Sequence, residues 1–126
     1  MQSVARLRVF NEAEELAVRV YQLTRTLPAE ERFGLGLQMR RAALSIGSNI
    51  AEGCGRDTAP DLARFLSIAL GSATELEFQS RVALRMGYLN ASQHSSLAQS
   101  VIHIQKMLIR LILRVRPVSK ASRGRP

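Results

Sequence analysis

An all-α fold is predicted by the composition, the spacing of the apolar residues and the placement of helix-ending signals. Helix-favouring residues dominate the 126-residue chain, aromatic residues make up only 5%, and runs of β-branched residues are absent. Apolar side chains recur at steps of three and four residues in four segments, which short connections separate. We therefore expect an antiparallel up-down-up-down four-helix bundle over residues 1–116, followed by a basic disordered tail at 117–126.

The first two helices are expected on either side of a boundary at Pro28. The first runs from about Arg8 to Thr26. The second begins near Pro28, because proline fits the first turn of a helix, and extends to about Glu52. Its core-facing stripe consists of Leu35, Met39, Ala42, Ile46 and Ile50, and its interior glycines are Gly34, Gly36 and Gly47. Close approach of a neighbouring helix would explain these glycines.

A polar stripe follows a different face of the second helix. Its members recur at helical steps and are Gln38, Arg41, Ser45, Asn49 and Glu52. Because Ser and Asn are unfavourable inside helices, the stripe predicts a hydrogen-bonded network at a helix or subunit contact. The small residues around Ser72 on the third helix would receive this face, with Glu75 near Arg41 or Asn49. A ligand or catalytic pocket is the alternative interpretation.

The last two helices are bounded by clear signals. The third is expected to begin after Thr58, whose hydroxyl can cap it, and to close at Met86-Gly87. The fourth follows the turn at Asn90 and runs to about Arg116, where Pro117 stops it. Besides its core stripe, the fourth helix carries a second apolar strip, which consists of Ile102, Ile109, Ile112 and Leu113. This strip is wider than a monomeric bundle needs, so it predicts a homo-oligomer.

Positive charge is concentrated in the C-terminal part of the chain. The formal net charge is +8, and residues 78–126 contain no Asp or Glu. The candidate nucleic-acid-binding residues are Arg81, Arg85, Lys106, Arg110, Arg114, Arg116, Lys120, Arg123 and Arg125. Clustered cations neutralise phosphates, and scarce aromatics argue against base stacking, so backbone contact with structured RNA is favoured. The alternatives are a scaffold or accessory subunit that binds an acidic protein partner, and a surface that serves only solubility.

The sequence contains no recognisable catalytic or metal-binding arrangement. His94 and His103 lie nine residues apart, without the spacing of a zinc site. Ser45 and Cys54 have no histidine placed to activate them. We therefore expect no enzymatic activity, no cofactor and no metal. The single cysteine and the lack of an export or membrane-spanning segment predict a cytoplasmic protein with no membrane partner.

Several short motifs between Leu27 and Leu89 form a specific set. The most specific is Ser48-Asn49-Ile50-Ala51-Glu52-Gly53 followed by Gly55-Arg56. The others are Pro28-x-Glu30-Glu31-x-Phe33-Gly34-Leu35, Gln38-x-Arg40-Arg41-Ala42, Phe65-Leu66-x-x-Ala69-x-Gly71-Ser72, Glu75-Leu76-Glu77 and Gly87-Tyr88-Leu89. With this set, the chain resembles the four-helix-bundle family of proteins encoded in intervening sequences of bacterial large-subunit ribosomal RNA genes.

The resemblance implies a helical bundle that assembles as a homo-oligomer, in the form of a ring-like pentamer, and that has no established catalytic activity. More distantly, the chain is similar to the accessory variability protein of diversity-generating retroelements. That protein is a basic pentamer that contacts a reverse transcriptase and nucleic acid. Both resemblances agree with the non-enzymatic, oligomeric bundle that the residues themselves predict.

Overall fold

Four α-helices make up most of residues 3–116, the part of the chain that the structure, a computed structural model, describes. They are α1 (Val4–Thr24), α2 (Leu35–Cys54), α3 (Ala59–Arg85) and α4 (Ala91–Val115), and a short 3-10 helix, Ala29–Glu31, precedes α2. No strand occurs in this range, so the predicted all-α class is confirmed. The tail expected at 117–126 lies outside the described residues.

The start of α2 differs from the prediction. Pro28 leads into the 3-10 helix, and α2 begins seven residues later, at Leu35. Gly34 caps α2 with φ −104° and ψ −114°, a conformation outside the helical region. The Glu31 carboxylate accepts the Leu35 N–H at 2.9 Å, which satisfies one of the free donors at the start of the helix. Gly34 is therefore a cap and not an interior helix residue, because the chain turns before α2 begins.

The predicted signals at the junctions of α3 and α4 are confirmed. The Thr58 hydroxyl accepts the Asp61 N–H at 3.3 Å and caps α3. Gly87 has a φ of +80°, the left-handed conformation that favours glycine after the end of a helix. Asn90 caps α4 through a reciprocal capping box with Gln93. Because these interactions join residues close together in the chain, the sequence predicted the starts of α3 and α4 closely.

The core is built from the apolar stripes of all four helices. Met39, Ala42, Ile46 and Ile50 are buried as predicted, and Leu35 is half-buried. One prediction about α4 is wrong: Ile112 is only 6% exposed and belongs to the core, whereas Ile102, Ile109 and Leu113 are exposed. Ile112 lies one helical turn after the buried Leu108, so it shares the core-facing side of the helix.

α2 and α3 approach each other closely at Gly53. A Cβ atom added to Gly53 would lie 2.9 Å from the Cβ of Phe65 and 3.2 Å from a methyl group of Leu62. Close helix approach therefore requires glycine at this position. Gly47 is different, because its nearest neighbour would be the Cβ of Ala13 at 3.8 Å, an ordinary van der Waals distance. The predicted close approach does not require glycine at Gly47.

We expect Gly53→Ala to lower the free energy of unfolding by about 1–2 kcal/mol, because the added methyl group overpacks the α2–α3 contact. Gly47→Ala is the matched control and should raise it by about 0.5–1 kcal/mol, since alanine favours helix and has room here. Denaturant unfolding at one fixed protein concentration measures both values. An equal gain for both variants would contradict the tight packing at Gly53.

Glu31 joins the connection between α1 and α2 to the connection between α3 and α4. Its second carboxylate oxygen accepts a hydrogen bond from the Tyr88 hydroxyl at 3.0 Å. This hydrogen bond raises the pKa of Tyr88 above its ordinary value, with smaller contributions from burial and from the negative charges of Glu31 and Glu30. The protonated hydroxyl is therefore favoured in the folded state, and it stabilises the contact between the two connections.

Tyr88→Phe should lower the stability of the protein at neutral pH, because it removes the hydroxyl that Glu31 accepts. Since the folded-state pKa is raised, this contribution is fully present below about pH 10, the ordinary pKa of tyrosine, and is lost as the pH rises through the raised value. The difference in unfolding free energy between the wild type and Tyr88→Phe should therefore shrink at high pH. The exposed Tyr21→Phe serves as the control, and a difference that persists unchanged at high pH would refute this account.

Candidate nucleic-acid interface

Three basic side chains form a row along α4, which we call the α4 row. Lys106, Arg110 and Arg114 recur every four residues, are exposed and succeed one another at about 6 Å along the helix axis. Arg116 follows at the C-cap and is also exposed. Within residues 3–116, none of these four cations forms an ion pair with a carboxylate. The α4 row therefore presents uncompensated positive charge to solvent.

Arg81 and Arg85 lie on a separate surface. Both are exposed in the last turns of α3 and line a groove of about 390 Å³ together with Phe78. The five-residue connection 86–90 places Arg85 beside the start of α4, about 22 Å along that helix from Lys106, the nearest member of the α4 row. Arg81 and Arg85 line this groove, and the residues of the α4 row do not. The remaining candidates, Lys120, Arg123 and Arg125, lie outside the described residues.

The start of α1 adds two cations that the sequence analysis missed. The Ser3 hydroxyl accepts the Arg6 N–H at 3.0 Å, so α1 begins four residues before its predicted start at Arg8. Arg8 lines a groove with Arg110 and Arg114, and Arg6 lines a neighbouring groove with Arg114. The signal that could have found them is the expected helix order, in which the first helix starts beside the end of the fourth.

Other arginines have partners that fix them in the fold. Arg56 pairs with Glu52 at 2.8 Å, and its guanidinium lies 4.8 Å from the ring centroid of Phe65. Arg64 pairs with Asp61 at 3.2 Å and lies 4.4 Å from the centroid of the same ring. These exposed pairs contribute little to stability, but their carboxylates offset the local positive charge. They stand in contrast to the unpaired cations of α4.

Part of the predicted polar stripe forms a hydrogen-bonded cluster between α2 and α3. The hydroxyl groups of Ser45 and Ser72 lie 2.7 Å apart. The Asn49 side-chain amide donates to the Ser45 carbonyl at 2.8 Å and to the Ser45 hydroxyl at 3.0 Å. Ser72 is 7% exposed and Ser45 and Asn49 are half-buried, so this cluster satisfies polar groups at a partly buried helix contact. The expected meeting of the Ser45 face with the small residues around Ser72 is confirmed.

The other members of the stripe are not part of this cluster. Gln38, Arg41, Glu52 and Glu75 are exposed on the single chain. In the described chain, Glu75 makes no hydrogen bond with Arg41 or Asn49, and Glu52 pairs with Arg56 instead. A continuous buried network along the stripe stays a prediction, because it requires a second molecule to cover these side chains.

Metal-binding groups do not converge in residues 3–116. No set of three or more His, Cys, Asp or Glu side chains in this range is arranged to hold a metal ion. Cys54 is a half-buried free thiol at the last residue of α2. No helix in the described range is long and apolar enough to cross a membrane.

Comparisons with known proteins agree with this geometry. A family model described as 23S rRNA-intervening sequence protein matches residues 5–110, which cover most of the four helices. The chain is also similar to a crystal structure from Bacteroides thetaiotaomicron, described as a protein with unknown function from the S23 ribosomal protein family. That match has a TM-score of 0.81 and 31% sequence identity, and covers 86% of this chain and 98% of the other. No curated protein matches the chain.

The matched region contains the motifs on which the resemblance was based. It includes the whole of α2 and α3, where Gly53 fits the tight helix contact and Ser72 joins the polar cluster. Neither the family description nor that of the similar structure indicates an enzymatic activity. The chain belongs to the family of 23S rRNA-intervening sequence proteins.

Proposed function

We propose that this protein is a non-enzymatic, homo-oligomeric helical bundle that binds nucleic acid, with RNA favoured, through the exposed cations of α4. The observation that carries this proposal is the α4 row, since Lys106, Arg110 and Arg114 are exposed and have no carboxylate partner in residues 3–116. Regularly spaced cations match the repeating charge of a phosphate backbone. The family name refers to sequences that interrupt ribosomal RNA, which makes structured RNA the first ligand to test.

The proposal includes an antiparallel up-down-up-down order of the four helices. The hydrogen bond between Glu31 and Tyr88 supports it, because this bond joins the α1–α2 connection to the α3–α4 connection. A groove at the other end of the bundle also supports this order. Arg56 of the α2–α3 connection lines that groove together with Ser3 at the start of α1 and Val115 at the end of α4. In this order the start of α1 and the end of α4 share one end of the bundle, which concentrates their cations there.

The proposed assembly is a homo-oligomer, in the pentameric form that the family resemblance implies. Exposed apolar side chains support it, because they add contact area where two copies meet. On α4, Ile102, Ile109 and Leu113 are exposed, the last at 64%. On α3, Phe78 is 68% exposed. A ring of subunits would repeat the α4 row and multiply its attraction for a long polyanion.

A cytoplasmic location follows from the proposed ligand. RNA-binding in a bacterial cell takes place in the cytoplasm, and a single free thiol, Cys54, suits a reducing compartment. Fractionation of cells that express a tagged chain tests this location, and recovery outside the cytoplasm would contradict it.

A protein-interaction scaffold is the second candidate function. The groove beside Phe78 favours it, because an exposed aromatic ring lies next to Arg81 and Arg85. Such a surface suits a segment with both acidic and apolar residues. Co-purification distinguishes the two functions: a defined RNA supports nucleic-acid binding, whereas a defined acidic protein without RNA supports the scaffold.

Removing two cations of the α4 row should weaken RNA binding. We expect Lys106→Gln/Arg110→Gln to reduce the affinity for a structured RNA at least about tenfold, because charge-assisted contacts with phosphate are lost. The slope of log affinity against log salt should fall by about 0.9 for each phosphate contact removed. Fluorescence anisotropy titrations at several salt concentrations measure both quantities. Arg25→Gln/Arg32→Gln removes the same charge elsewhere on the exposed surface and is the matched control.

The mass of each variant must be measured in the same samples. A pentamer of the 14.0 kDa chain has a mass of about 70 kDa by light scattering. Equal mass with weaker binding assigns the effect to the α4 row. Equal affinity for the wild type and Lys106→Gln/Arg110→Gln would refute this surface, and a 14.0 kDa wild type would refute the oligomer.

A further inference from the structure

A groove between the start of α1 and the end of α4 collects three arginines. It has a volume of about 500 Å³ and is lined by Arg8 from α1 and by Arg110 and Arg114 from α4. His103 stands on the same wall as the two α4 arginines. The volume falls within the range of small-molecule binding sites, which is roughly 300–1,000 Å³. The groove therefore has the size and the charge to accept a small anionic ligand.

The three arginines of this groove lack the partners that other arginines have. Within residues 3–116, Arg8, Arg110 and Arg114 form no ion pair and no side-chain hydrogen bond. Arg19, by contrast, donates to the hydroxyl groups of Ser96 and Ser100 at 2.8 and 2.6 Å. Like charges that converge without a counterion repel one another, so a bound anion would relieve this repulsion.

The start of α1 adds a second source of positive potential. Ser3, Val4 and Ala5 line the groove, and they form the cap and the first two residues of the 21-residue α1. The free N–H groups and the helix dipole make such a start attractive to anions. The first turn of α1 contains no acidic side chain that would occupy this position. The charged side chains of residues 117–126 are Lys120, Arg123 and Arg125, all of them basic.

The groove also has an apolar wall. Val4, which is 82% exposed, lines it together with the largely buried Met107 and Leu111. A bare phosphate ion would leave this wall uncovered. A nucleotide unit would use both parts, because its phosphate can meet the arginines while its sugar and base cover the apolar side chains.

We propose that this groove binds a nucleotide unit, with its phosphate held by Arg8, Arg110, Arg114 and the start of α1. The inference deepens the proposed function and rests on it for the choice of a nucleotide as the ligand. It extends the interface to Arg8, which lies outside the α4 row. The nucleotide unit comes either from free nucleotide in solution or from the phosphorylated end of an RNA strand.

Arg8→Gln tests the groove without changing the α4 row. The probe is adenosine 5′-monophosphate, titrated calorimetrically into the full chain, with adenosine and inorganic phosphate as comparison ligands. We expect the wild type to bind the monophosphate with a Kd below about 1 mM and more tightly than either comparison ligand. Arg8→Gln should weaken this binding at least about tenfold, because a charge-assisted contact is lost. Arg25→Gln carries the same charge change and should leave it unaltered.

A second pair of probes identifies the source of the nucleotide. Tighter binding of a 5′-phosphorylated RNA oligonucleotide than of its 5′-hydroxyl form, with the preference lost in Arg8→Gln, assigns the groove to a strand end. Monophosphate binding without that preference assigns it to free nucleotide. Both outcomes support the proposal that the groove binds a nucleotide unit.

Three outcomes would overturn the inference. They are no binding of the monophosphate by the wild type, equal binding by the wild type and Arg8→Gln, and a change of oligomer mass in Arg8→Gln, which would place Arg8 in a subunit contact. The proposed RNA-binding function is tested separately by Lys106→Gln with structured RNA, because Lys106 does not line the groove. A wild type that binds structured RNA but not the monophosphate would overturn only the groove proposal. A wild type that binds the monophosphate but not structured RNA would overturn the proposed function and leave the groove as a nucleotide site.

Discussion

The packing of α2 against α3 is the constraint on which the rest of the molecule depends. Gly53 leaves no room for a side chain beside Phe65, so the two helices meet closely near their connection. The hydroxyl groups of Ser45 and Ser72 lie within 2.7 Å of each other and fix the register further along. Because α1 packs on α2 and α4 packs on α3, this contact also determines how the outer helices lie relative to each other.

The arginines fall into two groups with different physical roles. Arg56 and Arg64 pair with carboxylates and contact the ring of Phe65, so nearby negative charge offsets their positive charge. Arg8 and Arg110 have no such partner in residues 3–116, and packing of α1 beside α4 brings them to one groove. Mutual repulsion among these uncompensated cations costs free energy unless an anion binds. This groove is therefore the best candidate for a ligand-binding surface.

The proposed oligomer would account for two features that the single chain leaves unexplained. Gln38 and Arg41 belong to a regular polar stripe, yet both are exposed beside the paired Ser45. Phe78 and Leu113 are apolar and largely exposed. A subunit contact would pair the polar groups and remove the apolar ones from water, and both changes are favourable. The proposed assembly and the proposed phosphate-binding surface thus rest on different residues of the same bundle.

The sequence by itself determined that there are four helices and where α3 and α4 begin, because helix formation depends on local spacing and on caps such as Thr58 and Asn90. It placed Lys106, Arg110 and Arg114 in one row, since spacing along a single helix is fixed by its rise per residue. Only the tertiary structure decided that Arg8 lines a groove with Arg110 and Arg114, and that Arg81 and Arg85 line a separate groove. The physical reason is that contact between helices depends on packing and register, which involve residues far apart in the chain.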